Sequence, residues 1–197
     1  MKTRMCFVVS LFLVLAVAML GCQGMKVPVP FSQGVKVPLD NYKPSFSGGY
    51  EAYKGKRVYL MNFDNQANDT TVWRYYSPDK KFGYLMNDTL HNYFWYAFRN
   101  AFLKNGMLVS TMDNPDPTAP AMWVTLLSIT DEQYRINVTV QKKGITAFTN
   151  PYTIQETPVD EKDRTPELLE QRAYRMTNRL IETILKDANF QKVITTP

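Results

Sequence analysis

Cysteine and histidine are nearly missing from this 197-residue chain: there are two of the first, Cys6 and Cys22, and one of the second, His91. Both cysteines fall within the first 22 residues, so the remainder offers no disulfide and no thiolate ligand. A zinc site needs three or four ligands drawn from Cys, His and carboxylates, and a solitary histidine beside Asn92 does not start one. No HExxH, GxSxG, GxGxxG or phosphate-loop pattern is present either. The expectation is a protein without catalytic residues, metal or cofactor.

Charge of one sign is also lacking. Lys2 and Arg4 account for two of the 23 basic residues, leaving 21 against 18 acidic ones, a net charge of +3. The signs are interleaved, as in Asp160-Glu161-Lys162-Asp163-Arg164. That excludes the basic stripe of a nucleic-acid binder, although weak attraction to an anionic surface is compatible with it. Asp64, Asp69 and Asp79 share one polar region, but acidic loop residues are ordinarily just solvated. The Asn-x-Thr triplets at Asn68, Asn87 and Asn137 read as chance.

What is present begins at the first residues. Lys2 and Arg4 precede an apolar run from Met5 to Leu20, broken only by Ser10 and followed by Gly21-Cys22. That is the layout of a secretory signal, and sixteen residues fall just short of the ~17 to 25 that span a bilayer. Met19-Leu20-Gly21-Cys22 resembles the lipobox of bacterial lipoproteins. The resemblance implies cleavage before Cys22, lipidation of Cys22 and, with Gln23 next, sorting to the periplasm-facing side of the outer membrane. The implied partner there is the membrane itself, through acyl chains worth ~0.8 kcal/mol per buried methylene.

Residues 22–55 are rich in Pro, Gly, Ser and Lys and read as a lipidated, extended tether; an arm lying on the domain, with Val27, Val29 and Phe31 in an edge strand, is the alternative. Residues 56–197 are long enough for one core. Their pattern gives a strand at 57–63 and a helix on Leu90, Tyr93, Phe94, Ala97, Phe98, Ala101 and Phe102, with Asn87 or Asp88 as cap and Gly106 as stop. Strands at 107–111, 121–129, 134–142 and 145–156 follow, and then a helix opening at Thr165-Pro166. The expected class is α+β: a mixed, largely antiparallel sheet with two helices on one face, ordered strand-helix-strand-strand-strand-strand-helix.

The stretch 64–86 is an aromatic insert. Trp73, Tyr75, Tyr76 and Tyr84, joined by Trp95 on the first helix, are the candidate contacts for a protein or glycan, since such rings combine stiff area with a polar tip. A hairpin packed on its own domain is the alternative. The order and spacing from Arg57 to Ile194 resemble the small bacterial lipoproteins of the YajG type and, more loosely, the PqiC-like auxiliary lipoproteins of lipid transport. The resemblance implies no catalytic residues. The functional expectation is a non-enzymatic, lipid-anchored domain that binds an envelope protein partner. A peptidoglycan or polysaccharide module and a subunit of a homo-oligomeric secretion ring are the alternatives.

Overall fold

A computed structural model describes residues 31–46, 48 and 50–196. The signal segment, Cys22 and the first part of the tether lie outside the described residues. The described elements run β1 (Gln33–Lys36), β2 (Arg57–Leu60), β3 (Asp64–Asn65), β4 (Arg74–Tyr76), β5 (Phe82–Leu85), α1 (Leu90–Lys104) and β6 (Leu108–Ser110). They continue with β7 (Ala121–Ile129), β8 (Gln133–Lys142), β9 (Ile145–Gln155), α2 (Pro166–Lys186) and α3 (Ala188–Thr195).

The α+β class holds. The main sheet is ordered β6-β2-β7-β8-β9, with β3 beside β7, and a second sheet is ordered β1-β5-β4. Strands β7, β8 and β9 form an antiparallel meander, whereas β2 runs parallel to both β6 and β7. The turn between β8 and β9 uses Lys143 at φ 51° and Gly144 at φ 78°. Two consecutive positive φ values match the two-residue hairpin turn whose twist suits the flanking strands.

Helix α1 forms because its apolar residues recur every three or four positions, and the whole predicted stripe is buried. Phe94, Phe98 and Phe102 are each 0 % exposed, and such burial contributes roughly 1.5–3 kcal/mol per side chain. Gly106, at φ 76°, ends the helix as expected. The start differs: Thr89 is the cap residue and makes no side-chain cap bond, while Asp88 Oδ1 accepts instead from the Thr89 amide and the Asn92 side chain. In α2, Thr165 caps and Pro166 sits in the first turn, as the sequence implies.

The extended tether needs correction toward its alternative, an arm lying on the domain: the insert forms a second sheet, and the first strand of that sheet comes from the segment read as tether. Strand β1 pairs in parallel with β5, from Gln33 opposite Phe82 to Lys36 opposite Leu85. Val35, Val37, Tyr42 and Tyr53 are at most 2 % exposed. The two tyrosine hydroxyls tie the segment to α2, Tyr42 donating to Asn178 and Tyr53 to the Leu185 carbonyl. The domain therefore begins by residue 31, not 56. An extended backbone, which proline favours, is also strand backbone, and alternate valines found a core face to fill.

The third helix, α3, was not expected. Asp187 caps it, accepting from the amides of Asn189 at 2.8 Å and Phe190 at 3.2 Å, and takes further bonds from Tyr152 and Asn150 on β9. Burial pushes the Asp187 carboxyl up, but these four donors outweigh it and hold the group below its usual 3.8. A depressed carboxylate stabilises the fold above its unfolded pKa, and that share is lost as pH falls through the folded value. Asp187→Ala should cost about 0.5–2 kcal/mol at pH 7, the range for a lost cap, with the deficit vanishing well below pH 3.8. Urea titrations at pH 7 and in acid check both halves.

Neither edge of the main sheet invites another strand. Strand β6 is three residues long. On β9 the Glu156 amide bonds to Glu132, which turns the alternate position, Pro151, toward the open edge with no N–H to give. Both features oppose edge-to-edge pairing between copies.

Candidate functional site

The aromatic insert does not form the contact surface expected of it. Tyr75 and Tyr84 are 0 % exposed and stack with centroids 4.5 Å apart and planes 5° from parallel. Tyr76 is buried as well, and Trp95 is half-buried, its indole N–H donating to the Met61 carbonyl at 3.0 Å. Of the five candidates only Trp73 stands in solvent, at 51 % exposure. The packed-hairpin alternative is the arrangement seen.

These tyrosines bury because long-range partners satisfy their hydroxyls. Tyr75 and Tyr134 share a hydrogen bond of 3.0 Å, and Tyr84 donates to Asp131 Oδ2 at 2.9 Å. Burial holds both phenols well above their ordinary pKa, reinforced at Tyr75 by the neighbouring tyrosines and at Tyr84 by Asp131. Asp131 is buried in turn, which pushes its carboxyl up despite the bond from Tyr84 and the charge of Arg172. Arg172, buried on α2, donates Nε to the Asp131 carbonyl at 2.8 Å and pairs with Glu156 at 3.3 Å; Arg179 also reaches Glu156 at 3.2 Å. The cluster joins both sheets to α2. Glu156 also lines an open depression of about 610 Å³ beside Glu132, Gln133 and Gln155, while the buried members of the cluster fix the sheet junction.

The acidic residues of the insert are also separately engaged. Asp69 accepts from Ser128, Asp64 from Gln66, and Asp79 pairs with Arg164 at 3.0 Å. No group of three potential metal ligands occurs among the described residues. His91 is half-buried in the first turns of α1, within 3.3 Å of the Thr89 hydroxyl.

The better candidate lies across the main sheet. Val58, Leu60, Met122, Val124, Leu126, Ile136, Val138 and Val140 share one core cluster with the apolar stripes of all three helices. Side chains alternate along a strand, so the intervening residues point the other way, and paired residues share a face. That places Leu108 with Arg57, Tyr59 with Ala121, and Trp123 with Thr139 on the opposite face. Trp123 stands on β7, the middle strand of five. No described helix covers this side. Met112, 53 % exposed, meets the Tyr59 hydroxyl through its sulfur, and Leu108 is 58 % exposed. Beside Trp123 runs a polar ladder in which Asn137 donates to Thr149 at 3.3 Å and Thr139 and Thr149 share a 3.2 Å bond. An indole and a phenol amid aliphatic and hydroxyl groups make a surface of mixed apolar and polar character.

Trp123 escaped the sequence reading because Ala121-Trp123-Thr125 is just the polar half of an alternating strand. What could have flagged it is the size of the ring: a tryptophan at a solvent-facing position of a central strand is out of keeping with its neighbours.

No family model matches the chain, and no curated protein matches it. Among solved structures it is similar to protein XCC0632 from Xanthomonas campestris, assigned to the family DUF330, with TM-score 0.54 and 5 % identity over 72 % of this chain and 88 % of that one. At that identity the likeness concerns the fold.

Proposed function

We propose that this chain is a non-enzymatic binding domain, held to the periplasmic side of the outer membrane through lipidated Cys22, that docks an envelope protein on its open sheet face. The observation that carries the reading is the one-sided layering: three helices on one face of the main sheet, and Trp123, Tyr59, Leu108 and Met112 on the other. Protein interfaces are enriched in Trp, Tyr and Met, which is the composition of this face. The fold shared with the DUF330 protein is compatible with a lipoprotein of the YajG or PqiC-like kind.

Anchoring is tested by Cys22→Ser. The parent should sediment with envelope membranes and the variant should not; a variant that remains in the membrane fraction and unprocessed makes the first 22 residues a helical anchor instead. Docking is tested by crosslinking from the open sheet face, at Thr139, in intact envelopes. A glycan is the second reading, favoured by the Asn137-Thr139-Thr149 ladder beside Trp123. A change in tryptophan emission on titration with peptidoglycan fragments would move the assignment to it.

A further inference from the structure

The interleaved charges of the sequence become segregated in three dimensions. A depression of about 510 Å³ at the start of β2 is lined by Lys56, Arg57, Lys142 and Lys143 with residues from the end of α3. A neighbouring groove of about 610 Å³ between β9 and α3 shares Lys142 and adds Lys192. No Asp or Glu lines either one. Among the described residues, the one carboxylate paired with these bases is Asp116, which meets Arg57 at 3.0 Å. Lys56 and Lys142 are held in place by the terminal carbonyls of α3, donating to Thr195 and Thr196. At the tip of the β8–β9 hairpin, next to Lys143-Gly144, Ile145 is 73 % exposed, the highest value among the exposed large apolar side chains.

We infer that this basic end of the domain is a contact for an anionic phospholipid bilayer, with Ile145 entering the headgroup layer and the lysines meeting lipid phosphates. Three properties favour a lipid surface over an acidic protein. The bases are lysines apart from Arg57, and lysine is a flexible point charge that gains little from the fixed geometry of a protein carboxylate. Lysine is depleted in protein interfaces, and no tryptophan or tyrosine lines either depression. A lone aliphatic residue protruding between ammonium groups matches an amphipathic boundary, where the stems also bury. The contact shares Arg57 with the open sheet face but none of Trp123, Tyr59, Leu108 and Met112. With Cys22 lipidated, eight residues separate the anchor from Phe31, a span of at most about 30 Å when fully extended. Phe31 packs against Tyr76, which bridges Thr130 at the end of β8 opposite Lys143, about 33 Å of strand away, so the tether runs close to full extension when the basic end meets the same bilayer, and that contact sets the direction in which Trp123 faces.

The test uses the chain from Gln23 onward, which keeps every described residue and lacks the lipid. It should co-sediment with vesicles of phosphatidylglycerol and phosphatidylcholine, not with phosphatidylcholine alone, and lose binding as salt rises to about 0.5 M. Each surface lysine contributes about fivefold to such binding, so Lys143→Glu with Lys192→Glu should weaken it by at least about tenfold. Ile145→Ser should weaken it several-fold at unchanged salt dependence. Both variants change exposed positions, and thermal melts matching the parent confirm that they fold. Equal binding to neutral and anionic vesicles, or anionic binding untouched by the charge reversals, overturns the inference. So does full competition by soluble polyglutamate with Ile145→Ser having no effect, which would make the site a receptor for acidic peptide. Trp123→Asp should bind vesicles like the parent, so failure here and failure of the docking reading are distinguishable.

Discussion

Arg172→Ala is expected to destabilise the domain by about 3–5 kcal/mol, a large part of the stability of a domain this size. Two costs combine. The guanidinium is buried and bonds the Asp131 carbonyl through Nε while pairing with Glu156, so removing it strands a carbonyl and a mostly buried carboxylate. Asp131 is itself buried with its Oδ1 lacking a partner among the described residues, and it loses a neighbouring positive charge. Arg179 still reaches Glu156, which is why the effect is placed within the usual range for a broken buried pair and not above it. Arg172→Lys should fall between parent and Ala, because it keeps a charge but not the Nε geometry. Urea unfolding followed by tryptophan emission measures this through the shift in midpoint at constant slope. A loss below about 1 kcal/mol for Arg172→Ala would mean that the junction between the sheets does not depend on this network.

The second large effect concerns binding. Trp123→Asp should weaken association with the docked partner by about 2 kcal/mol or more, some thirtyfold, the cost of truncating a central aromatic anchor. Trp123 is half-buried and points away from the core, so the fold should hold. Partner affinity and the urea midpoint, measured together, separate the two. Loss of both in proportion would identify Trp123 as packing.

The contrast between Trp123 and Tyr75 shows what the sequence could and could not disclose. Helix α1 was legible because its stripe is a local pattern with a period the backbone imposes. The β7–β8–β9 meander was legible through alternation and through Lys143-Gly144. Residues 31–55 were not, because β1 pairs with a strand 49 positions away and a parallel pairing leaves no local mark. Tyr75, Tyr76 and Tyr84 looked like a binding platform since tyrosine is amphipathic; whether its hydroxyl is satisfied inside depends on Tyr134 and Asp131, distant in sequence. Alternation likewise divides β7 into two faces without saying which one the helices cover. Most of the rings singled out in the insert are therefore packing, while Trp123 and Tyr59 lie on strands that alternation alone leaves unmarked.

The most direct measurement is a comparison of the two faces in intact envelopes. A photoreactive residue is placed at Thr139, on the open sheet face beside Trp123, and separately at Thr183, exposed on α2. Adducts of one defined mass from position 139, absent from position 183 and lost when Trp123→Asp is added, are the expected result. Adducts from Thr183 with none from Thr139 would put the partner on the helical layer and contradict the account.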